Sequence, residues 1–192
     1  MSVHRFDTTT VLPITRKEAW QFFSDPRNLA AITPPEMGFL ITCEVPEHVY
    51  TGLMITYRVR PMFNIPVTWV TEITSVVEGD RFVDEQRVGP YSMWHHEHHF
   101  REVPGGTEMR DIIHYAVPGG PFGDLINHYV VARKVAEIFA HRRRVLDVRF
   151  GSMEAAAIRS IAVSRTTPTT SRSGPLPALV GSSDPGRIPH DP

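Results

Sequence analysis

From residue 53 to residue 116 the chain alternates apolar and polar residues with period two, and only short turns separate the alternating stretches. Leu53, Ile55, Tyr57 and Val59 form one such series, and Val67, Trp69, Thr71, Ile73, Ser75 and Val77 the next. Gly79-Asp80 is a hairpin pair leading into 81–87, Gly89-Pro90 leads into 91–102, and Gly105-Gly106 leads into 107–116. A parallel crossover needs a dozen or more residues, which none of these turns provides. The pattern therefore predicts a consecutive antiparallel meander. Strands at 4–11 and 39–44 extend it, the latter placing Cys43 on an inward position as a packed thiol.

The flanks supply helices. Thr15 followed by Glu18 is a capping box opening a helix over 16–24. A second short helix over 27–32 stops before Pro34-Pro35. After Pro118-Gly-Gly-Pro121 one long helix is predicted from 122 to 150, with Phe122, Leu125, Tyr129, Ala132, Ala136, Phe139, Leu146 and Phe150 as its apolar stripe. At 1.5 Å per residue it is roughly 40 Å long, enough to cross a whole sheet. Arg143 interrupts the stripe and is expected either to point under the helix toward an interior carboxylate or to snorkel to its edge. The predicted class is α+β: a curved antiparallel sheet of about seven strands wrapped around a long C-terminal helix, with two short helices after strand one. A sheet curled around a helix leaves a hollow of the kind small molecules occupy.

The residues 11–39 (VLPITRKEAWQFFSDPRNLAAITPPEMGF), 89–100 (GPYSMWHHEHHF), 106–123 (GTEMRDIIHYAVPGGPFG) and 135–146 (VAEIFAHRRRVL) resemble the START-like, or SRPBCC, helix-grip superfamily. That superfamily includes the birch-pollen-allergen fold, lipid-transfer domains and polyketide cyclases, and the likeness is nearest to a little-characterised bacterial subfamily. The resemblance spans about residues 3–150 and implies a ligand-binding domain at 1–150. Because one scaffold there hosts transporters, cyclases, hydrolases and sensors, it leaves the activity open. Residues 151–164 read as a transitional segment. Residues 165–192, rich in Pro, Ser, Thr and Gly and lacking aromatics, read as a disordered tail.

Four of the ten histidines fall at 95, 96, 98 and 99. On a strand, Trp94, His96, His98 and Phe100 share one face, and His95, Glu97 and His99 the other. The face with two large aromatics is assigned inward and the other to solvent. Met109, Asp111, Ile113 and Tyr115 are placed inward on the next strand, and the resemblance favours Phe82, Asp84 and Gln86 inward on the preceding one. The candidate ligand-binding set is thus Tyr57, Trp69, Asp84, Gln86, Trp94, His96, His98, Phe100, Asp111, Tyr115 and Phe139. Loops 33–38 and 61–66 and the turn at 118–123 are expected to gate the mouth.

Four readings of the polar members stand side by side: a satisfied interior network; recognition of a ligand's polar end; a histidine–aspartate general base with His96, His98 and Asp111 as catalytic candidates; and a metal site using His-x-His with Asp84 or Asp111. Spacing adds no further metal signature, so no metal and no cofactor is assigned, and the residues do not decide whether a reaction is catalysed. The first function considered is binding of a small hydrophobic or aromatic molecule. The others are a cyclase-, aromatase- or hydrolase-like enzyme, and a non-enzymatic interaction or stress-sensor module whose protein partner the sequence does not name.

A net charge of −1 gives no general electrostatic grip on nucleic acid, so none is expected as a partner. The Arg133, Lys134 and His141–Arg144 face of the last helix reads as solvated charge. A single cysteine excludes an internal disulfide. Charged residues break up the first thirty positions, and no stretch reaches bilayer length, so neither a signal peptide nor stable membrane insertion is expected. Cytoplasmic location is the resulting expectation. Phosphate-binding glycine loops, a GxSxG elbow and an HExxH helix are all absent from the sequence.

Overall fold

The computed structural model describes residues 2–61, 64–152 and 164–166. Strand β1 (Val3–Leu12) leads into helix α1 (Arg16–Phe23) and two 3-10 turns, Pro26–Ile32 and Pro35–Met37. Then follow β2 (Leu40–Ile41), β3 (Met54–Val59), β4 (Val67–Val77), β5 (Arg81–Val88), β6 (Met93–Val103) and β7 (Gly106–Ala116). The C-terminal helix comprises α2 (Pro121–Ile126), a π segment (Asn127–Val131) and α3 (Ala132–Phe150), and β8 (Ser164–Thr166) ends the described chain. The strands form one antiparallel sheet in the order β2-β3-β4-β5-β6-β7-β1-β8. This is the α+β helix-grip architecture expected from the alternation and the terminal helix.

Local chemistry explains the elements. Thr15 accepts a hydrogen bond from the Glu18 backbone N–H, and Glu18 accepts one at 2.9 Å from the Thr15 N–H, completing the capping box. Asp25 caps the first 3-10 turn by accepting from the Arg27 N–H, with Pro26 at its first position. Helix α1 buries Ala19 and Trp20 against Phe82 and Phe100 of the sheet, at one end of the core. Phe6, Ile113 and Tyr115 meet Val131, Val135 and Phe139 of the long helix at the other.

Several expectations are corrected. The strand foreseen over 39–44 is only Leu40–Ile41, and Cys43 is exposed rather than packed. Its sulfur lies over the sheet edge, accepting from the Thr56 N–H at 3.2 Å. In β4 a bulge between Ile73 and Ser75 reverses the pleat. Val76 therefore packs on the core while Val77 is exposed.

The long helix also turns a different face inward along its first half. Gly123, Asn127, Val131, Val135, Phe139, Arg142 and Leu146 are buried, whereas Phe122, Leu125 and Tyr129 are exposed. The cause is close approach: a Cβ on Gly123 would lie 2.4 Å from the Pro118 carbonyl oxygen, so only glycine can face the end of β7 there. Arg142, not Arg143, therefore points under the helix; Arg143 pairs with Asp147 along the surface at 3.7 Å.

Of the segments foreseen as transitional and disordered, residues 164–166 pair with Val3–Arg5. Residues 153–163 and 167–192 lie outside the described residues. No helix among the described residues is long and apolar enough to cross a membrane.

Candidate functional site

The face of the sheet turned toward the long helix holds a cavity of about 180 Å³. Ile55, Tyr57, Trp69 and Ile73 line it from β3 and β4, Val135, Ile138 and Phe139 from α3, and Phe23, Met37 and Phe39 from the segments after β1. Its aromatic wall is continuous. Phe39 lies 4.8 Å from Tyr57, Tyr57 stacks on Trp69 at 6.1 Å, and Trp69 meets Trp94 edge-on at 5.5 Å between ring centres. The Trp69 indole N–H donates to the Thr71 hydroxyl at 3.0 Å, and that hydroxyl is also hydrogen-bonded to the Tyr57 phenol at 2.7 Å. Burial, helped by the Asp84 charge, pushes the Tyr57 phenol above its ordinary pKa, so it stays neutral.

The charged residues gather at one place because the strand register puts them there. Asp84 of β5 lies opposite His96 of β6, and His98 lies opposite Asp111 of β7, all on the concave face. The His96 Nε2 and His98 Nδ1 atoms lie 3.0 and 2.9 Å from Asp111 Oδ1. The other two ring nitrogens, His98 Nε2 and His96 Nδ1, lie 2.9 and 3.3 Å from Asp84 Oδ2. The two rings are 3.8 Å apart. Arg142 reaches down from α3, its guanidinium 3.4 Å from Asp111 and 4.6 Å above the Phe139 ring. His96, His98, Asp111 and Arg142 are all buried, and Asp84 nearly so.

The electrostatics follow from this crowding. Burial works against each charge, but the neighbours outweigh it. His96 and His98 hold the Asp84 carboxyl well below the usual carboxylate range, and the same histidines with Arg142 do so for Asp111. Asp84 and Asp111 together raise the pKa of His96 against its own desolvation. Burial also raises Tyr115, to about 12.

Among the residues named from sequence, Tyr57, Trp69, Asp84, Trp94, His96, His98 and Phe139 line the cavity together. Phe100, Asp111, Tyr115 and Gln86 do not line it. Phe100 packs under Trp20, and Asp111 stands behind the two imidazoles. Tyr115 lies in the helix–sheet seam. Gln86 ties the β5–β6 turn instead, donating to the Tyr91 carbonyl at 2.7 Å and accepting from its N–H at 3.2 Å. Of the foreseen gating segments, Thr33, Met37 and Pro61 line the cavity, and residues 62 and 63 lie outside the described residues.

Sequence reasoning missed Tyr91, Thr71 and Arg142. No sequence signal singles out Arg142, because the close approach of Gly123 to Pro118 sets the helix rotation that buries it. On the opposite face, His95 pairs with Glu85 at 2.9 Å and His99 with Glu97 at 2.9 Å, both half-exposed.

No family model and no curated protein matches the chain. Solved structures do. Ms6760 from Mycobacterium smegmatis superposes with a TM-score of 0.55 at 17% identity, over 76% of this chain and 92% of that one. CV1439 from Chromobacterium violaceum gives 0.57 at 14% identity, over 78% and 99%. Ara h 8.0201 gives 0.54 at 15% identity, over 75% and 97%. At such identities the likeness establishes the fold: the chain shares with these proteins the helix-grip architecture that its sequence resembles.

Proposed function

We propose that this domain binds a compact, largely apolar molecule carrying one polar end, held between the sheet and the terminal helix. The observation that carries the reading is the joining of an aromatic-lined cavity to a buried cluster of Asp84, His96, His98, Asp111 and Arg142 at one end of it. Apolar walls with a few convergent polar groups are the usual composition of small-molecule sites. At about 180 Å³ the cavity is smaller than the roughly 300–1,000 Å³ of drug-sized sites, which favours a ligand with one aromatic ring or a short chain. The Trp69 and Trp94 faces would stack on it, while Arg142 and the imidazoles would meet its polar end.

A general-base reading is less well supported by the same geometry. A base needs an unshared ring lone pair directed at substrate. Here the Nε2 of each imidazole is hydrogen-bonded to a carboxylate, and each Nδ1 has a carboxylate oxygen within 3.3 Å, so neither ring is directed at open cavity space.

Native mass spectrometry of the purified full chain should reveal a co-purified small molecule. After its removal, calorimetric titration with benzoate, phenol, indole and benzylamine should give saturable binding to at least one of them. Ile138→Trp, which fills the cavity from the helix side, should abolish that binding while leaving the far-UV spectrum native. Absence of any co-purified molecule, together with no saturable binding or with binding indifferent to Ile138→Trp, would refute the proposal.

A further inference from the structure

The cluster at the cavity end has a feature that ligand recognition does not require. Two imidazoles 3.8 Å apart each have both nitrogens against carboxylates. Only two of these four contacts have hydrogen-bond geometry, His96 Nε2 to Asp111 and His98 Nε2 to Asp84, and His98 Nδ1 is buried without a hydrogen bond. Giving all four nitrogens one would need both rings protonated, two like charges in contact beside a third on Arg142. A cation seated on one side of the pair removes that conflict. Each imidazole can then be neutral, with one nitrogen's lone pair on the ion and the other nitrogen's N–H on a carboxylate.

The two carboxylates divide the task unequally. Asp84, His96 and His98 each offer one ligand atom, the three lying within 4.8 Å of one another, and all three residues border the cavity. Two ligand atoms about 2.1 Å from one ion stand about 3.0 Å apart at a right angle and about 3.4 Å apart at the tetrahedral angle. Asp84 Oδ2 lies 3.3 Å from His96 Nδ1, inside that range, and 2.9 Å from His98 Nε2, just short of it. Taking up an ion requires the Asp84 carboxylate to swing off the His98 N–H axis, a rotation about its own side-chain bonds. Asp111 is placed differently. It faces the far nitrogen of each ring, away from the cavity, and is itself held by Arg142. A carboxylate accepting the remote N–H of a metal-bound imidazole fixes its tautomer and orientation.

We propose that Asp84, His96 and His98 bind one divalent transition-metal ion, with Asp111 orienting both imidazoles from behind and the remaining coordination positions open to the cavity. Two imidazoles and one carboxylate select zinc, iron, cobalt or nickel over magnesium or calcium, which prefer oxygen donors throughout. The open positions accept an oxygen or nitrogen lone pair from whatever occupies the cavity. The site is tested with metal alone, so the proposal stands or falls separately from the apolar-ligand reading.

The full chain, stripped with chelator and dialysed, is titrated with Co²⁺ and followed by visible absorption and by elemental analysis of the bound fraction. One Co²⁺ per chain with visible absorption is expected. The same-shaped variant Asp84→Asn should lower the affinity by at least tenfold, and Asp111→Asn by about 10–100-fold. His95→Gln/His99→Gln, which removes the outward imidazoles, should leave it unchanged. Should Asp84→Asn fail to fold, the wild-type ring signals decide: Co²⁺ should broaden His96, His98 and Trp94 in the proton spectrum and spare His95 and His99. The proposal is overturned by absence of bound Co²⁺, by binding indifferent to Asp84→Asn and Asp111→Asn, or by broadening confined to His95 and His99.

Discussion

Replacing Asp111 by asparagine keeps the side chain's shape and removes its charge at a point where three cationic or ionisable groups converge. In the structure Asp111 Oδ1 lies 3.0 Å from His96, 2.9 Å from His98 and 3.4 Å from Arg142, with the carboxylate buried. Removing one partner from a buried charged set costs about 3–5 kcal/mol, because the others remain desolvated and uncompensated. For a domain of this size each kcal/mol lowers the melting temperature by about 2–4 °C, so Asp111→Asn should lose roughly 6–20 °C. The companion change Arg142→Met removes the cation that Asp111 neutralises and keeps the apolar length of the stem. In the double variant part of the penalty should return, with a coupling energy of about 0.5–3 kcal/mol. The assay is urea unfolding and calorimetry of the four proteins in chelator, so that bound metal does not contribute. An Asp111→Asn loss below about 1 kcal/mol, with strictly additive behaviour in the double variant, would refute the account of this cluster as a mutually dependent set of buried charges.

Thr15→Ala should cost about 1 kcal/mol by removing the cap on the α1 N-terminus, read as a lower urea midpoint with an unchanged slope. Gly123→Ala should cost about 1–3 kcal/mol, because its Cβ meets the Pro118 carbonyl; the near-UV spectrum should report displaced packing where α2 joins the sheet. Asp7 accepts a hydrogen bond from Arg110, which with Arg5 nearby holds its carboxyl below the usual 3.8. A depressed folded pKa contributes stability above the unfolded value that is lost as pH falls through the folded one. Asp7→Asn should therefore lose less stability than the wild type between pH 5 and pH 2, by up to about 1 kcal/mol for so exposed a pair, as measured by urea midpoints at each pH.

The parts of this fold legible in sequence were those set by short-range physics. Pleat parity placed Trp94, His96, His98 and Phe100 on one face of β6, because a strand without a bulge has no freedom to do otherwise. Thr15 with Glu18 marked the start of α1 within a residue. Parity failed where the backbone departs from regularity. The bulge in β4 reversed Ser75 to Val77, and the early end of β2 left Cys43 outside the sheet. The helix stripe failed for a different reason. Hydrophobicity alone would bury Phe122, Leu125 and Tyr129, but the tight approach of Gly123 to Pro118 fixes the rotation of the helix and turns those three side chains outward. That rotation is a tertiary fact, and it alone decides that Arg142 rather than its neighbour enters the cluster. The pairing of Asp84 with both histidines also needed the strand register, which alternation does not determine across a β5 turn held by Gln86.

The cluster's charge bears on which polar end the proposed ligand would carry. Asp84 and Asp111 supply two negative charges, since both carboxyls are held ionised, and Arg142 supplies one fixed positive charge. If both imidazoles are protonated, the set carries one net positive charge. If both are neutral around a divalent ion, it again carries one. Either of these two states leaves a single positive charge beside an apolar, aromatic-walled space where the effective dielectric is low, whereas one protonated imidazole without an ion leaves the set neutral. A ligand ending in a carboxylate or an ionisable phenol answers that charge, whereas an amine of the same size adds to it. On the binding proposed above, benzoate should therefore bind more tightly than benzylamine of the same size, compared by calorimetric titration; equal or reversed affinities would refute this charge argument.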